Sequence, residues 1–437
     1  MADVLDNIST RQLPHRVKYS SITPLAVHAS SSVKRVSATT GGPFNDQNNV
    51  STFILSSSTA MIDPQSTYLR FQCRVTLSDV GHTMRLDGSA SSLIKSIRVS
   101  SKSGAGDISF INNYNNLFNV ISDVTIPMSA RTSLLNIAEG YGTTVANDSS
   151  NGTGEASWTN SLVSTKSFCV PIMDSCIGHL NNRYLPLFLT GDIQVQIQWS
   201  SEGLFSSSAQ SPRTGYEILN PELMCDFVTF AAEPNVNEQL KSIALSTGIY
   251  MHVTGFRNYQ KTITTAQDNF LINDRLRSVK SLIITNRLPN PTNVQRAMGR
   301  ISREITSLQV KCGDQLVPSQ PLTATTYVDN LPQLTFETLK GFGRFYDTSL
   351  VGGVINSTNS NISAASTNAS CGRAVFSVSL DSFSNQQIES GMSWLLNNPC
   401  TIMTDSTDAN QNVLMDCFAL FDAILSIKPD GTFSVSY

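Results

Sequence analysis

Two short strand-like stretches occur twice in this chain, in the same order and at nearly the same spacing. Ile94-Lys95-Ser96-Ile97-Arg98-Val99 returns as Ile305-Thr306-Ser307-Leu308-Gln309-Val310, an offset of 211 positions (94 to 305). Phe168-Cys169-Val170-Pro171-Ile172-Met173-Asp174-Ser175 returns as Phe376-Ser377-Val378-Ser379-Leu380-Asp381-Ser382, an offset of 208 (168 to 376). Between the two markers lies a Ser/Asn/Gly-rich stretch in each copy, residues 140–160 and 352–370. Both offsets are close to half of the 437 residues. Order, spacing and intervening composition kept together are what a tandem duplication leaves, and a repeated period implies repeated architecture.

The local patterns say what is repeated. From residue 68 to 77, Leu69, Phe71, Cys73, Val75 and Leu77 alternate with Arg70, Gln72, Arg74 and Thr76, the period of a strand with one buried face. In residues 192–199, Ile193, Val195, Ile197 and Trp199 alternate with Gln194, Gln196 and Gln198. The marker strand at 94–99 is followed by the turn 103–107 and a returning strand at 108–111, a hairpin pattern. Tyr114, Leu117, Phe118 and Ile121 then fall on one face of a short helix packed on the sheet. In the second copy, strands are expected at 248–253, 279–285, 305–310 and 375–380, with a helix around 331–339. A closing hairpin turns at Lys428-Pro429-Asp430-Gly431 and ends on Phe433, Val435 and Tyr437. Many short strands, few helices and a long-range repeat predict an all-β chain: two tandem jelly-roll β-sandwich domains with short helices in the loops. The expected division is an extended N-terminal arm at 1–49, a first jelly roll at 50–230, a linker at 231–245 and a second jelly roll at 246–437.

Composition narrows the function. Charged residues make up only 14% of the chain against 40% hydrophobic, so the surface is largely Ser, Thr, Asn and Gln. A surface with few charges to desolvate suits a protein that packs against copies of itself. The net charge of −3 excludes a global electrostatic footprint for nucleic acid, and the excess of basic over acidic residues in the first forty positions is small. Eight cysteines without a C-x-x-C pair read as buried free thiols, and with the polar start of the chain they point to synthesis in a reducing compartment. No apolar run has the length of a membrane-spanning helix.

Catalytic chemistry finds little support. His15, His28, His82, His179 and His252 show no metal-ligand spacing, and no G-x-S-x-G elbow or phosphate-binding G-x-x-x-x-G-K-[ST] loop occurs. Asp405, Asp408, Asn410 and Asn412 lack the ordered spacing of a calcium loop. His252, Phe256, Arg257 and Tyr259 interleave aromatic and basic groups, but on a predicted strand they read as packing rather than as a base-stacking platform. No catalytic, cofactor-binding or metal-binding residue is assigned, and no enzymatic activity, cofactor or small-molecule substrate is expected.

The order of elements resembles that of the double jelly-roll major capsid proteins of small double-stranded DNA viruses, the virophages and polinton-like viruses. The similarity is carried by Met61-Ile62-Asp63 leading to Tyr68-Leu69-Arg70-Phe71, and by the hairpin-then-helix of 94–124 with Asn112-Asn113-Tyr114. It continues through Tyr184-Leu185-Pro186-Leu187 ahead of Gly191-Asp192-Ile193-Gln194-Val195, and closes on Ile427-Lys428-Pro429-Asp430-Gly431-Thr432-Phe433. The resemblance implies a structural virion protein, made in the host cytoplasm or nucleus, that forms homotrimeric, pseudo-hexagonal capsomers of an icosahedral shell. It further implies neighbouring capsomers, penton and minor capsid proteins as partners, indirect contact with genome or an internal membrane, polar loops outermost and the N-terminal arm beneath. The alternatives are a viral coat protein with one jelly roll and a projecting β-domain, and a carbohydrate-binding β-sandwich protein.

Overall fold

The alternation at 68–77 is realised as expected: Leu69, Phe71, Cys73 and Val75 are fully buried while Arg70, Gln72 and Arg74 are half-exposed. The computed structural model describes residues 28–102, 106–141, 157–159, 161–230, 235–344, 355, 357–362, 372–382, 390–395, 399–408 and 412–437.

The first half runs β1 (Ala29–Ser37), β2 (Val50–Leu55), β3 (Met61–Thr76), β4 (Met84–Leu86), β5 (Ile94–Ser101), β6 (Asp107–Asn112) and α1 (Tyr114–Thr125). It continues with α2 (Met128–Arg131), α3 (Leu134–Glu139), β7 (Ser157–Trp158), β8 (Val163–Pro171), β9 (Leu185–Pro186), α4 (Leu187–Thr190), β10 (Ile193–Trp199), β11 (Leu204–Ser206) and β12 (Tyr216–Phe230). After α5 (Val236–Ser246) the second half runs β13 (Ile249–Ile263), β14 (Gln267–Ile272), β15 (Val279–Arg287), β16 (Arg300–Ile301), β17 (Ile305–Cys312), β18 (Gln315–Thr323) and α6 (Tyr327–Gly341). It ends with α7 (Ser357–Ser360), β19 (Phe376–Ser379), β20 (Cys400–Ser406), β21 (Val413–Ile427) and β22 (Phe433–Ser436).

The strand orders repeat. One sheet of the first half is ordered β1-β12-β3-β8 and the facing one β2-β10-β5-β6, while the second half has β13-β21-β15 with β19 on β15, facing β14-β20-β17-β18. Counting only these eight strands in chain order, each half pairs its first, eighth, third and sixth strands in one sheet, and its second, seventh, fourth and fifth in the other. That is the jelly-roll order, and the pairings within these sheets are antiparallel. Both sequence markers fall on equivalent strands: 94–99 lies in β5 and 305–310 in β17, the fourth of each set, and Phe168 and Phe376 lie in β8 and β19, the sixth. The duplication read from two short matches is therefore a duplication of the whole topology.

Two boundaries move. The arm expected at 1–49 gives up β1, which pairs with β12 from Ala29↔Phe230 to Ser37↔Glu222, and Phe44 bridges Ile218 in the core. Gly41, Gly42 and Pro43 made this stretch look irregular, whereas its Ser-rich strand carries almost no apolar period because both faces are exposed. The part of the arm at 1–27 lies outside the described residues. The linker expected at 231–245 is helical from Val236, since the Asn235 side chain accepts from the Glu238 N–H and caps α5. The polar loops at 140–160 and 352–370 fall mostly outside the described residues. Among the described residues no helix is long and apolar enough to cross a membrane.

Candidate functional site: the seam between the halves

Helix α1 was legible as an amphipathic helix, and its apolar stripe does pack into the first half: Tyr114, Leu117 and Val120 are fully buried. Its other face is buried as well. Asn115, Asn116, Asn119 and Asp123 are at most 3% exposed: Asn116 and Asp123 meet the second half, while Asn115 donates to Glu202 and Asn119 to the Asp87 carbonyl of the first. A helix of twelve residues is marginal alone, so tertiary contacts hold it. Asn113 stands in the left-handed region (φ 48°) at its start and forms no side-chain cap. Its amide instead donates to Asn258 Oδ1 (3.0 Å) on β13 and Asp416 Oδ1 (3.1 Å) on β21. One turn on, Asn116 Nδ2 donates to Asp416 Oδ2 (2.9 Å) and Thr285 Oγ1 (3.0 Å). Asp416 also accepts from Arg287 Nε (2.7 Å) and Gln260 Nε2 (2.8 Å), which satisfies a fully buried carboxylate from both halves.

At the far end of α1, Asp123 collects three guanidinium groups. Arg131 Nη1 donates to Oδ1 at 2.8 Å, and Arg300 and Arg373 from the second half address Oδ2, the latter at 3.3 Å. Burial pushes this carboxyl up, but the three arginines together outweigh it and hold Asp123 well below the usual carboxylate range. A third crossing is made by Asp87, fully buried, whose Oδ2 accepts from the Met298 N–H (2.7 Å) with Arg296 Nη1 3.6 Å from Oδ1. Gly88 beside it has φ 98°, and a Cβ there would overlap the Asn119 side chain. Buried ion pairs contribute modestly to net stability, yet each fixes one orientation, and loss of one partner strands the other. The seam thus holds the two sandwiches in a single relation.

The equivalent helix of the second half is placed differently. Helix α6 buries Tyr327, Asn330, Leu334 and Thr338 along one stripe, is capped by Thr326 accepting from the Asp329 N–H (3.3 Å), and leaves Val328 (59%) and Phe336 (48%) exposed.

Of the seam residues only Asn113 was named from the sequence, at the start of the helix. Asn116, Asn119 and Asp123 lie off the apolar stripe, and the partner of Asn116 is 300 positions away. A signal was present: charged residues are scarce, yet Arg296, Arg300 and Arg303 cluster, and Asp416 and Asp422 interrupt an otherwise apolar strand.

The residues weighed for chemistry do not converge. Among the described residues no group of three or more His, Cys, Asp or Glu is placed to hold a metal ion, and the seven described cysteines are free thiols. Of the Asp405 to Asn412 run, Asn410 lies outside the described residues. Arg257 donates to Asp274 Oδ2 (2.8 Å) and stacks 4.5 Å from the Tyr437 ring centroid, and Tyr259 Oη donates to the same carboxylate. That aromatic-basic stretch is strand packing. One cluster was not foreseen: His82 Nδ1 lies 2.8 Å from Ser211 Oγ and 3.0 Å from Ser78 Oγ. Both hydroxyls address the same ring nitrogen, which ties two loops together rather than aligning a base between a nucleophile and an orienting acid. A pocket of about 430 Å³ beside α6, lined by Tyr327, Leu331, Phe336, Leu339, Val375 and Phe376, is apolar, and among the described residues that line it the charged group is the already paired Asp123.

No protein-family model matches the chain, and no curated protein matches it. Solved structures do. It is similar to PBCV-1 VP54 as fitted into the virophage Sputnik, with TM-score 0.63 and 10% identity over 96% of this chain and 99% of that one. It is similar to a chain of the Sputnik virophage itself, with TM-score 0.60 and 12% identity over 98% and 92%. The mavirus major capsid protein gives TM-score 0.52 and 11% identity over 98% and 95%. With the strand order of both halves repeated and the likeness running the length of the chain, the protein has the double jelly-roll fold of virophage and related viral major capsid proteins.

Proposed function

We propose that the chain is a major capsid protein, a structural component of the virion whose homotrimers tile an icosahedral shell. The observation that carries the reading is the pairing of two complete eight-stranded sandwiches in one fixed orientation, on a fold that spans 98% of this chain and 95% of the mavirus major capsid protein. Three such chains present six sandwiches, so a trimer tiles as a hexagon does, and the work done is assembly. Heterologous contacts between subunits close a ring when the rotation between them closes. The sparse charge of the chain supports this, since contacts between copies then desolvate few ions. Neighbouring capsomers are the first partners in this reading, with penton and minor capsid proteins at the vertices.

Light scattering on the purified protein tests it. The expected mass is three times the 47.5 kDa chain, and a monomer that forms no particles at micromolar concentration contradicts the proposal. A truncation that tests the arm stops at residue 27, because a deletion reaching residue 40 also removes β1 and its pairing with β12.

A further inference from the structure

In each half the first helix after the fifth jelly-roll strand, α1 or α6, opens on a buried tyrosine, Tyr114 (0%) and Tyr327 (3%). Aligning the tyrosines gives an offset of 213 (114 to 327), which agrees with the sheet markers. Leu117 then falls on Asn330, and both are fully buried in their own half. Asn116, Asn119 and Asp123, the polar face that α1 turns away from that stripe, fall on Asp329, Pro332 and Phe336. In α1 these positions are 0%, 2% and 3% exposed; in α6 all three are exposed, with Gln333 and Val328 beside them. Of these, Asn116 and Asp123 meet the second half, whereas the matching Asp329 and Phe336 are left exposed.

The seat has a counterpart too. Helix α1 rests on the outer face of β13, β21 and β15, through Asn258, Asp416 and Thr285. The equivalent strands of the first half are β1, β12 and β3, whose outward side chains include Arg70, Gln72 and Arg74 on β3 and Glu217 and Glu222 on β12. Arg70 and Arg74 keep side-chain exposures of 42% and 40%.

We infer that α6 seats on the outer β3–β12 face of a second copy of this chain, repeating between copies the contact that α1 makes within one. The inference rests on the trimer proposed above and names the surfaces that close it. A contact that joins unlike faces passes from copy to copy, so it builds a ring rather than a two-fold dimer. The helix offers apolar Val328, Pro332 and Phe336, which cost little to desolvate, to a face on which Arg70 and Arg74 are already neutralised by Glu222 and Glu217.

The test has two arms on the full chain. Gln333→Cys combined with Gln72→Cys, oxidised with glutathione disulfide, joins the two thiols as a disulfide and releases reduced glutathione. It is expected to give two- and three-chain species on non-reducing gels that neither single variant nor the unmodified protein gives. Phe336→Asp with Gln333→Lys is expected to lower the solution mass threefold while the circular-dichroism spectrum and the first melting transition stay those of a folded chain. A variant that keeps the trimer mass, together with a cysteine pair that stays unlinked, overturns the assignment of surfaces and leaves the trimer standing. A monomeric unmodified protein overturns the trimer itself, and the inference with it.

Discussion

Helices α1 and α6 occupy the same place in two copies of one topology, and the sequence has spent them differently. Helix α1 has no side-chain cap and is buried on both sides, so it is held by groups far away in the chain: Asp416, Thr285, Arg300 and Arg373. Helix α6 has a local cap in Thr326 and buries a single stripe. The difference teaches that duplicated halves need not repeat their chemistry to repeat their geometry. One copy of the helix face is buried inside the chain among polar groups, and the equivalent face of α6, with Val328, Asp329, Pro332 and Phe336, is exposed.

The largest expected effect breaks the buried member of the pair. Asp123→Ala leaves the arginines that faced it without their carboxylate and should cost roughly 3–5 kcal/mol in denaturant unfolding, whereas Gln333→Ala on exposed α6 should stay within about 0.5 kcal/mol. Equal costs at the two sites would contradict the contrast drawn here. Asp123 also sets an acid limit. Its folded pKa lies below the unfolded value, so its contribution is full above about pH 4 and is lost as pH falls below that value.

A second buried carboxylate near the same arginine should respond in the opposite sense. Glu139 is 3% exposed, and burial raises its pKa to about 7, opposed only in part by Arg131. Because the folded value lies above the unfolded one, stability should fall as pH rises from about 4.5 to 7 and level off beyond. Glu139→Gln should therefore raise stability by roughly 1–3 kcal/mol at pH 8 and by little at pH 4, read from urea midpoints at the two pH values. A variant equally stabilised at both would remove burial as the cause.

The smaller effects compare how the two helices begin. Asn113→Ala, which loses two hydrogen bonds into the second half, should cost about 1–3 kcal/mol and loosen the seam, seen as faster amide exchange in both α1 and β21. Thr326→Ala should cost about 1 kcal/mol, with faster exchange confined to the first turn of α6. A loss that spreads into the first half after Thr326→Ala would mean that α6 is coupled across the chain as α1 is.

What the sequence made legible follows the same division. Strand alternation at 68–77 and 192–199 is a local property with period two, so the sheets and their repeat could be read directly, including the equivalence of β5 with β17 and of β8 with β19. The start of the first sandwich was missed because β1 is exposed on both faces and shows no apolar period. The seam was missed because a polar helix face looks the same whether it meets water or a buried carboxylate three hundred residues away. The residues that matter at the seam are polar groups matched across the two halves, not a local motif.

The most direct test of the central claim, that one contact is used within the chain and again between chains, is a set of class averages of the purified oligomer by electron microscopy. The account predicts six lobes of near-equal spacing around the ring, since intrachain and interchain neighbours meet through equivalent surfaces. Two-lobed single chains, or three well-separated pairs of lobes, would contradict it.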